Sequence, residues 1–125
     1  MKKYIIAGLA AVCCVALSSC GKSAKQLNNT GIEYYNASQY EKAADTFIQA
    51  AEKDKDGSAE YYVNLGKTYI ELGQYDNAKE AFSNALANVA DDKNALWGMG
   101  VVAYYTGDYA SSMEYFGKIV ENISS

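Results

Sequence analysis

One pattern of residues returns along this chain about every 34 positions. The segment Leu65-Gly66, Tyr69, Gly73, Tyr75, Ala78, Phe82, Ala85 has counterparts on both sides. Upstream by 35 positions stand Gly31, Tyr34, Ser38, Tyr40, Ala43, Phe47 and Ala50. Downstream by 34 stand Met99-Gly100, Gly107, Tyr109, Ser112, Phe116 and Ile119. A unit this short cannot bury its own apolar face, so the copies must stack on one another. A stacked array presents an extended surface, which suits holding another molecule better than transforming one.

Within each unit the spacing is helical. Tyr62, Leu65, Tyr69 and Leu72 recur at steps of three and four, one stripe of a helix. Proline is absent, so no helix interior is broken by one. The breaks come from Gly57-Ser58, Gly73-Gln74, Asp91-Asp92 and Gly107-Asp108. Ser58 and Asp108 are placed to cap the helices that follow them. Six helices are expected, starting near Lys25, Gln39, Ala59, Gln74, Lys93 and Asp108, in an all-α chain.

The first twenty residues read differently. Lys2 and Lys3 precede an apolar run from Tyr4 to Leu17, and small residues then lead to Cys20. This is the pattern of a cleaved signal peptide over residues 1–19. Its run is shorter than the roughly 17–25 apolar residues of a spanning helix. Leu17-Ser18-Ser19-Cys20-Gly21 resembles the lipobox of bacterial lipoproteins. That resemblance implies cleavage before Cys20 and lipidation of its thiol. Two or three acyl chains would then anchor the protein stably. Cys13 and Cys14 leave with the signal, so no disulfide can form within the mature monomer. Residues 20–26 are expected to form the acylated cysteine and a short tether.

The repeats themselves resemble the tetratricopeptide repeat family. Tyr62, Leu65, Gly66, Tyr69, Gly73, Tyr75, Ala78, Phe82 and Ala85 occupy consecutive signature places. The resemblance implies three helix-turn-helix repeats, 24–57, 59–92 and 93–125, stacked as a short right-handed solenoid. Gly66 and Gly100 would admit a neighbouring helix, as would Ala43 and Ala78. Tyr40, Tyr75 and Tyr109 would fill space between helices, and Phe47, Phe82 and Phe116 would supply the large core contacts. Three places depart from the pattern: Ser38 replaces glycine, Ser112 replaces alanine, and Ala103 replaces tyrosine. No polar capping helix is evident after repeat three. Met113 and Val120 are therefore expected on an outer side that meets a protein partner, self-associates or frays.

In this family the first helix of each repeat lines a concave face. By that register repeat one offers Asn28, Asn29, Ile32, Tyr35 and Asn36. Repeat two offers Val63, Asn64, Lys67, Ile70 and Glu71. Repeat three offers Trp97, Gly98, Val101, Tyr104 and Tyr105. The binding set expected to matter is Asn28, Ile32, Tyr35, Asn64, Lys67, Trp97, Val101, Tyr104 and Tyr105. Some relatives clamp a peptide's terminal carboxylate with Lys, Asn and Arg, but here only Asn64 stands at such a place and the chain has no Arg. Asn and aromatic side chains suit an extended peptide backbone instead.

Composition removes other functions. Without His, and with its one mature cysteine lipidated, the chain has no Cys–His or Ser–His–Asp nucleophile and no His/Cys zinc site. It reads as a non-enzyme without a cofactor or metal. Glu52, Asp54, Asp56 and Gly57 imitate a calcium loop, but its twelfth place is Val63. The mature chain would carry nine Lys against fifteen acidic residues, a balance that disfavours nucleic acid. The expectation is a lipid-anchored envelope adaptor binding a protein or peptide. Gly21 after the cysteine favours, by analogy, the periplasmic face of the outer membrane. The alternative is a small-ligand or glycan binder that stacks sugars on Trp97, Tyr104 and Tyr105.

Overall fold

The computed structural model describes residues 21–55 and 59–124. They form six helices: α1 Ala24–Asn36, α2 Tyr40–Lys53, α3 Ala59–Glu71, α4 Tyr75–Asn88, α5 Lys93–Tyr105 and α6 Tyr109–Ser124. Each start lies within one residue of the sequence expectation. The signal segment, Cys20, and the turn residues Asp56, Gly57 and Ser58 lie outside the described residues. Glu52 belongs to α2 and Val63 to the core, so neither is a loop ligand. No described helix is long and apolar enough to cross a membrane.

The helix ends follow from local chemistry. Ser23 accepts from Gln26 N while the Gln26 side chain accepts from Ser23 N, a reciprocal box that opens α1. Asp92 accepts from Ala95 N at 2.9 Å and caps α5. Asp108 accepts from Ser111 N at 3.2 Å and caps α6, as its position in the sequence suggests. The hydrogen bonds from Ser111 hold the Asp108 carboxyl below its usual pKa. Its capping is therefore complete above the unfolded value and is lost as pH falls through the folded one.

Each turn between a first and a second helix carries one residue in the left-handed region. These are Ser38 at φ 61°, Gly73 at φ 72° and Gly107 at φ 86°. The glycines adopt it freely, whereas Ser38 has a Cβ that resists it. Ser38→Gly is expected to stabilise the fold by about 0.5–1 kcal/mol, net of the entropy glycine adds to the unfolded chain. An unchanged or lower urea midpoint would contradict that reading.

Helices pack in pairs, α1 with α2, α3 with α4 and α5 with α6, and the pairs stack in order. Phenylalanine and glycine set the closest contacts. A Cβ added to Gly31 would lie 2.5 Å from the Phe47 ring, and one on Gly66 2.6 Å from Phe82. One on Gly100 would lie 2.6 Å from Phe116. Phe82 is also pressed against Gly98, where an added Cβ would overlap the ring. Phe47 and Phe82 are fully buried. Phe116, expected as core, is 37% exposed. It lies against Gly100 of its own repeat. Ala43, Ala50, Ala78, Ala85 and Ala95 have no exposed surface, so the backbones come close together. Ser112, in an alanine place, is buried and donates to the Gly100 carbonyl at 2.8 Å, which satisfies its hydroxyl.

Candidate functional site

The first helix α3 touches both α1 and α5, while no comparable contact joins α2 to α4 or α4 to α6. The stack therefore curves, with the first helices on its inner side. The expected binding residues lie on these three helices.

At the α5 end the expected residues come together. Trp97, Val101 and Tyr104 follow at steps of four and three, with Tyr105 beside them, on one helical stripe. Trp97 is 45% exposed, so it is not a core residue, and Val101 is half-buried. Tyr104 and Tyr105 are each 58% exposed. Their rings join a longer run. Tyr105 stacks on Tyr75 at 5.5 Å with an 18° interplanar angle. Tyr104 meets Tyr105 edge-on at 5.9 Å and Tyr109 at 5.5 Å. Such pairs hold each other in place without covering all of their faces. The sequence reading assigned Tyr75 and Tyr109 to filling space between helices. Tyr75 is half-buried, but Tyr109 is exposed, and both extend the aromatic surface. The contact of Tyr75 with α5 crosses from repeat two to repeat three, whereas that of Tyr109 with Tyr104 lies within repeat three.

At the α1 end the amides are already engaged. Asn28 is buried; its Nδ2 donates to Glu60 Oε1 at 3.2 Å, and its Oδ1 accepts from Asn64 Nδ2 at 3.0 Å. This chain of hydrogen bonds ties repeat one to repeat two, with Asn28 beneath the surface. Asn64 is half-buried, and its amide oxygen has no partner among the described residues. Tyr35 donates to Glu71 Oε1 at 3.3 Å. Burial, and then the Glu71 charge, raise the Tyr35 pKa, so the phenol stays protonated as a donor. Ile32 and Lys67 are half-buried, and Lys67 makes no ion pair among the described residues. Asn29, Asn36 and Glu71 are exposed.

Two residues of the wider expected face lie in the core. Val63 is buried in the cluster around Phe82, and Gly98 receives the Phe82 ring. Val63 packs where repeat two meets repeat three, and Gly98 meets Phe82 of the preceding repeat. Glu60 and Glu71, which organise the polar end by accepting hydrogen bonds, were not singled out as partners in the sequence. Their roles depend on contacts 32 and 36 residues away.

A profile of the tetratricopeptide repeat family matches residues 63–125, half of the chain. The chain belongs to the tetratricopeptide repeat family. No curated protein matches it significantly in sequence. Solved structures share its fold. The second tetratricopeptide domain of Spaghetti (RPAP3), bound to the HSP90 peptide SRMEEVD, superposes with a TM-score of 0.75 at 16% identity. That match covers 79% of this chain and 91% of the other. The Sgt2 domain from Aspergillus fumigatus gives 0.76 at 22% identity, covering 82% and 67%. The type III secretion translocator chaperone SycD from Yersinia enterocolitica gives 0.77 at 19%, covering 82% and 76%. At these identities the likeness is one of fold.

Proposed function

We propose that this protein is an adaptor that holds an extended peptide segment of a protein partner along α1, α3 and α5. The observation that carries the reading is the exposed stripe of Trp97, Tyr104 and Tyr105, beside the half-buried Val101. Exposed aromatic rings held by stacking lose little entropy on contact, so they serve well as anchors. The open amide oxygen of Asn64 and the Lys67 ammonium add polar contacts for a peptide backbone. The peptide bound to the Spaghetti domain gives this fold a precedent for such a ligand. A carboxylate clamp is not part of the proposal. Asn28 is buried, Ile32 is apolar, and the chain contains no Arg. No catalytic role is proposed.

The N-terminal segment supports a membrane location in the bacterial envelope. Lipid on Cys20 would anchor the protein, and the short tether 20–26 would keep the array near the surface, on the periplasmic face of the outer membrane by the Gly21 analogy. Mass spectrometry of the mature N-terminus tests this; an unmodified Cys20 would overturn it.

The stacked tyrosines also favour a second reading, in which sugar rings lie on them. Trp97, the only tryptophan, distinguishes the two. Its fluorescence is expected to shift saturably with apolar extended peptides and not with cell-wall oligosaccharides. Trp97→Ala is expected to weaken peptide binding by about 2 kcal/mol, roughly 30-fold. Saturation by oligosaccharides alone would replace the peptide reading with the glycan one.

A further inference from the structure

The exposed stripe of α5 has a narrow polar chemistry. From Leu96 to Tyr105 the helix carries no charged residue and no Asn or Gln. Its exposed polar side-chain groups are the Trp97 indole N–H, which can only donate, and the hydroxyls of Tyr104 and Tyr105. Tyr75 and Tyr109 bring two more hydroxyls from the starts of α4 and α6. None of these groups has a hydrogen-bond partner among the described residues. A ligand on the stripe therefore meets rings and unused donors, with no carboxylate or amide to receive its own N–H groups.

That chemistry discriminates among peptides. An ordinary extended segment has an N–H at every residue, and each one buried against the rings without an acceptor costs free energy. Proline has no N–H, so a proline-rich segment avoids this cost. Such a segment adopts the polyproline II helix, whose carbonyls make no internal hydrogen bonds and are free to accept. It arrives already ordered, so little conformational entropy opposes its binding.

The rings have a matching arrangement. Tyr104 meets Tyr105 and Tyr109 at interplanar angles of 74° and 61°, with centroids 5.9 and 5.5 Å away. Rings so inclined leave notches beside Tyr104 into which a pyrrolidine ring can pack. Tyr105 is braced from behind by Tyr75, stacked on it at 18°. Trp97 precedes Tyr104 by two helical turns, a rise of about 10.5 Å. One turn of polyproline II rises about 9.3 Å, so prolines one turn apart on a segment lying along α5 reach both residues.

We propose that the α5 stripe recognises a proline-rich segment of the partner protein in the polyproline II conformation, with one proline at Trp97 and another, one turn away, beside Tyr104. Donor-bearing aromatic grooves are a general means of holding such segments. This specificity rests on the peptide-binding reading and deepens it. Sugars fit the stripe less well, because their many hydroxyls donate and no carboxylate or amide is there to accept.

Titration of the domain from Gly21 onward, which contains every described helix and the whole described core, tests the proposal. The probes are capped peptides of repeated Ser-Pro-Pro, Ser-Ala-Ala and Ser-Val-Thr, each taken to about 1 mM and followed by calorimetry and Trp97 fluorescence. The Ser-Pro-Pro peptide is expected to saturate and to bind roughly tenfold or more tighter than the other two, the ratio for losing one or two matched hydrogen bonds. Tyr104→Phe keeps the ring and removes only a donor at a place that is 58% exposed. It should weaken the Ser-Pro-Pro peptide by about threefold to tenfold, with the melting temperature of wild type. Ser-Val-Thr binding as tightly as Ser-Pro-Pro would overturn the proline preference and leave the peptide reading standing. Failure of all the peptides to bind would overturn both.

Discussion

Phe82→Ala is expected to destabilise the fold by about 3–5 kcal/mol, the range for removing a buried aromatic ring. Phe82 has no exposed surface and lies against glycine in two different repeats, Gly66 and Gly98. Ala78, Ala85 and Ala95 of the same cluster are also fully buried and too small to fill the void. Domains of this size are stable by only about 5–15 kcal/mol, so much of the total would be lost. Phe116 provides an internal comparison. It occupies the equivalent place in α6 but is 37% exposed, so Phe116→Ala in dilute solution should cost less than half as much. Urea unfolding of the two variants checks this. Equal losses would show that Phe82 does not join the repeats.

Gly98→Leu is the second large effect, expected to cost about 2–3 kcal/mol after a gain of nearly 1 kcal/mol from better helix propensity. A Cβ at this place would overlap the Phe82 ring, and the other side of that ring is confined by Gly66. Neither α5 nor the ring can move without opening the contact between repeats two and three. Gly66→Leu should have a similar effect within repeat two. Trp97→Ala, one position from Gly98, should leave the melting temperature nearly unchanged because Trp97 is largely outside the core. The contrast would separate the packing side of α5 from its exposed side. A Gly98→Leu chain that melts with wild type would contradict this assignment.

Much of the architecture is legible in the sequence because the repeat constrains it repeatedly. Glycine or serine marks each left-handed turn, Phe returns in step with Gly31, Gly66 and Gly100, and the helix starts follow from these marks. The inner side of the stack is less legible. Register alone places Val63 and Gly98 on the concave face, although Val63 is buried in the cluster between repeats two and three and Gly98 meets Phe82 of the preceding repeat. Gly98 did carry a signal. A second glycine two residues from Gly100 in an apolar helix is costly unless something packs against it. Asn28 shows a further limit. Sequence marks it as polar and on the right helix, but its partners Glu60 and Asn64 come from another repeat, and they draw it below the surface. Tyr109 and Phe116 are more exposed than their counterparts because the packing that covers those counterparts comes from a following repeat.

The most direct test of the proposed function is an envelope pull-down with the domain from Gly21 onward, run beside a folded Trp97→Ala/Tyr104→Ala double variant. The account predicts a specific protein captured by the wild type and lost with the double variant. Capture that the two substitutions leave unchanged would contradict binding through the aromatic stripe of α5.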